Sequence, residues 1–178
     1  MTKKVQHEQG AVRYQSGYLR FIEETITLPS GEQFQRDILD HPGAVVIIPV
    51  TANGSLLLVD QYRYPMRQNV LEFPAGTIEK GEDILVCARR ELQEEVGHDA
   101  QEVTLVSTLF PTPGFCNEIQ HIFIAHKLFP SRLDGDYDEI IAPREMTVIE
   151  LETAIRAGEI QDAKTIAAYT QVRLSGKL

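Results

Sequence analysis

The chain lacks the features that mark several protein classes. It has two cysteines, Cys87 and Cys116, too few for a disulfide framework. Its longest apolar run, AVVIIPV at residues 44 to 50, is too short to span a bilayer, so no membrane partner is expected. The opening Met1-Thr2-Lys3-Lys4 is followed by VQHEQG, which does not read as a signal peptide. Basic residues are outnumbered, 17 Lys and Arg against 26 Asp and Glu, for a formal net charge of −9. That balance argues against sequence-independent nucleic-acid binding, which needs basic patches. The sequence holds no internal repeat, glycine-rich phosphate loop, cysteine-based zinc site or nucleophilic serine constellation. His121 and His126, five apart on one expected strand, point to opposite faces and cannot clamp one metal. The default expectation is a cytoplasmic protein of one domain, or of one domain with an added sub-domain, with enough apolar content (43%) for a proper core.

What is present centres on residues 76 to 97, GTIEKGEDILVCARRELQEEVG. Ile84, Ala88, Leu92 and Val96 recur every four residues and, with Leu85, form an apolar stripe on a helix. Glu91 and Glu95 stand one turn apart on another face, Glu94 flanks them, and Arg90 precedes Glu94 by four. Carboxylates that close repel and raise each other's pKa unless a cation joins them. A hard cation with oxygen ligands, Mg²⁺ above all, is the natural neutraliser. A plainer reading is a solvated helix face with one ion pair. Gly97 is expected to cap the helix in a left-handed conformation, and Cys87 reads as a small packing residue.

Along the chain, residues 1 to 11 read as frayed. Residues 12 to 28 and 32 to 40 read as strands around the turn Pro29-Ser30-Gly31-Glu32, with Ile22, Ile26 and Leu28 on one face. A break at His41-Pro42-Gly43 divides an N-terminal β arm, 1–42, from a main domain, 43–178. Further strands are expected at 44 to 50, 55 to 63, 70 to 76, 102 to 110 and 118 to 128. Thr147-Val148-Ile149-Glu150 has capping-box spacing for a helix stopping at Gly158, and Asp162 caps a last helix to about Leu174. Strands in bursts with helices inserted late read as α+β.

Gly76, five residues, Glu82, seven residues, Arg90-Glu91-Leu92, one residue, Glu94-Glu95, one residue and Gly97 together resemble the signature of the Nudix hydrolases. By average residue frequencies a chance match in a chain this long is rarer than about one in a million. His98 departs from the pattern, since the family usually has an aliphatic residue there. Gln61-Tyr62-Arg63-Tyr64-Pro65, Glu72-Phe73-Pro74-Ala75-Gly76, Pro113-Gly114-Phe115 with Glu118, Asp138-Glu139, and the run from Gly158 to Thr165 resemble the ADP-ribose pyrophosphatase branch.

The resemblance implies an α/β/α sandwich and Mg²⁺-dependent hydrolysis of a nucleoside diphosphate sugar, with Mn²⁺ able to substitute. It implies Glu91, Glu94, Glu95 and the Ala75 carbonyl as metal ligands, and Arg90 as a residue that orients a glutamate. Glu82 either buttresses the loop before the helix or meets metal. Arg63 faces the diphosphate, Arg36 a phosphate or ribose, and Glu118 metal or the terminal sugar. The arm is expected to cross to a second subunit of a homodimer, where Phe21, Tyr18 or Tyr14 meets the base. Three carboxylates compete for the role of general base: Glu95, Glu118 and Glu139. A metal-bound glutamate is a poorer base, Glu118 is expected at a strand start, and Glu139 in a late loop is favoured. Rival readings are the same fold acting on GDP-mannose or a dinucleotide, and a non-catalytic ligand sensor, whose usual sign is a broken signature.

Overall fold

The computed structural model describes residues 4 to 135, 137 and 139 to 178, and only the backbone of Gln9. The chain divides into two units. The first runs up to Gly43 and takes in Phe110–Ile119; the second comprises Ala44–Leu109 and Gln120–Leu178.

The first unit is a three-stranded antiparallel sheet of β1 (Gln6–Ser16), β2 (Leu19–Thr27) and β3 (Gln33–Asp40), in that order. The expected single strand from 12 to 28 is in fact a hairpin. Gly17, at φ +54, supplies the left-handed turn between β1 and β2. Residues 6 to 11 are not frayed, because they pair with β2. Their polarity hid this: His7 meets Glu24 at 3.0 Å and Arg13 meets Glu23 at 2.6 Å across the hairpin. Leu28 lies beyond β2, in the turn that Gly31 closes at φ +96. The segment Phe110–Ile119 joins this unit through backbone bonds from Leu39 N–H to Phe115 (2.8 Å) and from Asn117 N–H to Leu39 (3.2 Å).

The second unit holds β4 (Ala44–Pro49), β5 (Leu56–Arg63), β6 (Gln68–Glu72), β7 (Ala75–Thr77), α1 (Ile84–Val96), β8 (His98–Leu109), β9 (Gln120–Pro130), β10 (Ile141–Met146), α2 (Val148–Ala157) and α3 (Ala163–Leu174). One sheet has the order β7-β4-β9-β8 and the other β10-β5-β6. β4 is buried throughout and pairs in parallel with β9. Its alternate residues serve two cores. Val46 and Ile48 pack in one core with Leu151 of α2 and Ala168 and Val172 of α3. Val45 and Ile47 pack in the other with Cys87, Ala88, Leu92 and Val96 of α1. The result is the α+β, α/β/α arrangement.

Helix ends follow the sequence closely. Gly97 caps α1 at φ +70, Thr147 and Glu150 form the capping box of α2, and Asp162 caps α3. Within α1 the stripe shifts: Leu85 is exposed and Cys87 is buried in its place. The expected strand from 70 to 76 breaks at Phe73-Pro74. Proline has no N–H for a ladder, and the Phe73 N–H donates to Thr165 Oγ1 at 2.9 Å. The chain thereby leaves β5 as β6 and joins β4 as β7. β8 starts four residues early, and β9 starts at Gln120, so Glu118 precedes the strand instead of opening it. β10 was not expected, since Pro143, Arg144 and Glu145 read as loop; the strand pairs antiparallel with β5 from Ile141–Gln61 to Met146–Leu56.

Candidate active site

The site is built in the second unit, where α1 faces one side of the β5–β6 hairpin. Asp83 caps the start of α1, accepting from Leu85 N–H at 2.9 Å. The apolar stripe of the helix anchors it, so its acidic face has a fixed orientation. Glu91 and Glu95 are both buried, unusual for carboxylates. Glu95 accepts from the backbone N–H of Ala75 at 3.0 Å. Gly76, next in the chain, lies against Glu91: a Cβ there would sit 1.8 Å from Glu91 Oε1. Close approach, not unusual φ, therefore explains this glycine.

Arg90 is the hub of the helix face. It grips Glu82 with a fork, Nε to Oε1 at 2.9 Å and Nη2 to Oε2 at 3.1 Å. Through Nη1 it also reaches Glu91 Oε1 at 2.6 Å and Glu94 Oε2 at 2.9 Å. The fork holds the Glu82 carboxyl down to about 2. Glu82 also accepts from Glu79 N–H at 2.9 Å, which ties down the loop before the helix. Burial pushes Glu91 up to about 7 against the pull of Arg90. Burial likewise raises Glu95 well above the usual carboxylate range; the charges of Glu91, Glu139 and Glu72 add to this, and the Ala75 N–H opposes it.

Glu139 is thus close enough to repel both Glu91 and Glu95. It accepts a hydrogen bond from Gln61 Nε2 at 3.3 Å. Asp138, its neighbour in the quoted motif, and Asp136 lie outside the described residues. Gln61 and Arg63 are two apart on β5 and share a face. Glu72 stands across from Val59 on that same face, by the antiparallel register of β5 and β6. Arg63 forms an ion pair with Glu72.

The remaining residues named from the sequence lie in the first unit. Glu118 follows Asn117 and lies near His41. Arg36 sits 4.9 Å from the centroid of the Phe34 ring and, with Glu118, lines a groove of about 590 Å³. Phe21 is partly exposed, as are Tyr14 and Tyr18.

Three site residues were not singled out from the sequence: Gln61, Glu72 and Lys164. Each lay inside a quoted motif, but burial of a polar side chain has no sequence signal of its own. Gln61 is 4% exposed and Glu72 only 1%.

Among the described residues, no three His, Cys, Asp or Glu side chains are gathered as a ready-made metal cage. The donors nevertheless fit a hard cation: the acidic face offers carboxylate oxygens, and Glu91 and Glu95 are raised by burial, with neighbouring carboxylates adding to it, a cost that a bound cation would offset. Among the described residues, no helix is long and apolar enough to cross a membrane.

Comparison with known proteins agrees with this geometry. Residues 40–169 match the NUDIX domain. An ADP-ribose pyrophosphatase of Bacillus subtilis (strain 168) is 36% identical over 157 residues, covering 87% of this chain and 85% of that protein. A methanol dehydrogenase activator of Bacillus methanolicus is also 36% identical over 157 residues, with the same coverage. A crystal structure of an ADP compounds hydrolase superposes with a TM-score of 0.84 at 23% identity, covering 99% of this chain and 97% of that one, and shares the fold. Nudix hydrolases generally use divalent metals. The match over residues 40–169, at the helix that carries the signature glutamates, places this chain in the Nudix hydrolase family.

Proposed function

We propose that this chain is a Mg²⁺-dependent pyrophosphohydrolase. It cleaves ADP-ribose, or a closely related nucleoside diphosphate sugar, into a nucleoside monophosphate and a sugar phosphate. The observation that carries this reading is the gathering of Glu91, Glu95 and Glu139 beside the β5 face that bears Gln61 and Arg63. The substrate class is supported by the 36% identity to an ADP-ribose pyrophosphatase. A non-catalytic sensor is not favoured, because every acidic position of the signature is intact.

Glu91, Glu94, Glu95 and the Ala75 carbonyl would hold the metal, with Mn²⁺ able to replace Mg²⁺. When bound, the cation neutralises the diphosphate and aligns it for in-line attack by water. Arg90 orients Glu91 and Glu94, engaging each through one oxygen. Arg63 meets the diphosphate. Glu139 accepts the proton of the attacking water, and Gln61 aims its carboxylate. Glu95, held by the Ala75 N–H, serves the cation and not the water.

The arm, residues 1–42, supplies Arg36 and Phe21 to ribose and base, and Glu118 contacts the terminal sugar. We take the arm to pair with a second copy in a homodimer. Val12, Tyr14 and Phe21 on this small sheet, and Tyr18 in its first turn, are all more than a third exposed, a surface suited to a two-fold contact. Both cysteines are free and buried, in keeping with a cytoplasmic protein.

A panel of nucleoside diphosphate sugars, dinucleotides and nucleoside triphosphates, read by phosphate release after phosphatase coupling, tests the reading. ADP-ribose or another diphosphate sugar should lead the panel. Preference for a triphosphate or a dinucleotide would refute the substrate class.

A further inference from the structure

Glu72 is among the most deeply buried charges described, 1% exposed at the end of β6. A lone carboxylate so placed would be costly, and here it has two cationic partners. Its Oε2 meets Lys164 Nζ, and its Oε1 meets Arg63 Nη2. Lys164 is itself fixed. Its ammonium lies 3.1 Å from Asp162, whose carboxylate caps α3 by accepting from Thr165 N–H at 2.8 Å. Thr165 in turn takes the Phe73 N–H. The first turn of α3 therefore grips residues 72 and 73, three residues before the Gly76 that faces Glu91.

The division of Glu72 between two cations has a geometric consequence. A carboxylate alone with an arginine favours a two-point fork, as Glu82 shows with Arg90. Lys164 occupies the second oxygen of Glu72, so Arg63 approaches the first as an ion pair, and among the described hydrogen bonds the two form no fork. A guanidinium carries five N–H donors. Arg63 is thus held at one corner, with donors on its other edges, and its side chain is 36% exposed. It shares its strand face with Gln61, the partner of Glu139. That is the arrangement needed to present a planar cation to a diphosphate without letting it swing or collapse onto its own counter-ion.

We propose that Glu72 and Lys164 are positioning residues that hold the Arg63 guanidinium ready for the diphosphate of the substrate. This rests on the reading of Arg63 as a diphosphate contact. Neither residue touches the substrate; both act through Arg63.

The test is a double-mutant cycle read by calorimetric affinity for magnesium pyrophosphate, a probe that does not depend on which sugar the enzyme prefers. Lys164→Met should weaken binding about tenfold where Arg63 is present. It should weaken it less than about twofold in an Arg63→Ala background, since the residue it positions is gone. Lys164→Arg, which keeps a cation on Glu72, should recover most of the affinity. If Lys164→Met leaves Glu72 too poorly compensated to fold, Glu72→Gln with Lys164→Met buries no lone charge and carries the same expectation. An equal loss in both backgrounds would make the cluster merely structural and overturn the proposal. So would wild-type protein that binds no pyrophosphate. Failure to hydrolyse any nucleoside diphosphate sugar of the panel, with the cycle still coupled, would instead refute the substrate reading and leave this one standing.

Discussion

Glu91 Oε1 fills the space that a side chain on residue 76 would need, 1.8 Å from an ideal Cβ on Gly76. The glycine of β7 and the glutamate of α1 are therefore one design. Gly76→Ala must push the Glu91 carboxylate away from its place. We expect kcat to fall by about 10²-fold, the scale of a displacement of about 1 Å in a catalytic constellation. Full kcat in Gly76→Ala would mean that the placement of Glu91 is immaterial.

The fork between Arg90 and Glu82 should set a stability that depends on pH. The Glu82 carboxyl lies at about 2 in the folded chain against an ordinary 4.5. A depressed carboxyl stabilises fully above its unfolded pKa and loses that contribution as pH falls through the folded value. The gap in unfolding free energy between wild type and Glu82→Gln should thus be largest above about pH 4.5, at most on the order of 3 kcal/mol. It should close toward pH 2. Urea titrations at several pH values check this, and a gap that widens on acidification would contradict it.

Thr165 Oγ1 accepts the N–H of Phe73 at a buried site. Thr165→Val keeps the shape and removes the acceptor. An orphaned buried donor costs about 1–3 kcal/mol, and urea unfolding should show a loss in that range. A loss below about 0.5 kcal/mol would mean that the break between β6 and β7 does not need this bond.

Glu139 and Glu118 compete for the general base. Glu139→Gln should lower kcat by about two to four orders of magnitude with KM nearly unchanged. Glu118→Gln should act mainly on KM. The reverse pattern would transfer the base to Glu118.

Much of this was legible before the structure. The periodicity of Ala88, Leu92 and Val96, the caps at Gly97, Thr147 and Asp162, and the acidic face of α1 are local features with local signals. What escaped depends on partners distant in sequence. β10 is a strand because β5 pairs with it, although Pro143-Arg144-Glu145 shows no strand pattern. β1 reaches back to Gln6 because charged pairs across the hairpin replace apolar alternation. Arg63 was legible as a strand-end cation. The buried Glu72 and the half-buried Lys164 that hold it, 92 positions apart, were not.

If the carboxylates of α1 hold a divalent metal for hydrolysis of a nucleoside diphosphate sugar, turnover must depend on both the metal and Glu95. The most direct measurement is turnover of ADP-ribose by wild type and Glu95→Gln, with Mg²⁺ and with excess chelator, following AMP and ribose phosphate by ³¹P NMR. Wild-type turnover should stop with chelator and return with Mg²⁺ or Mn²⁺, and the Glu95→Gln rate should be lower by at least about two to three orders of magnitude. Wild-type turnover that persists in excess chelator, or a Glu95→Gln rate equal to wild type, would contradict this dependence.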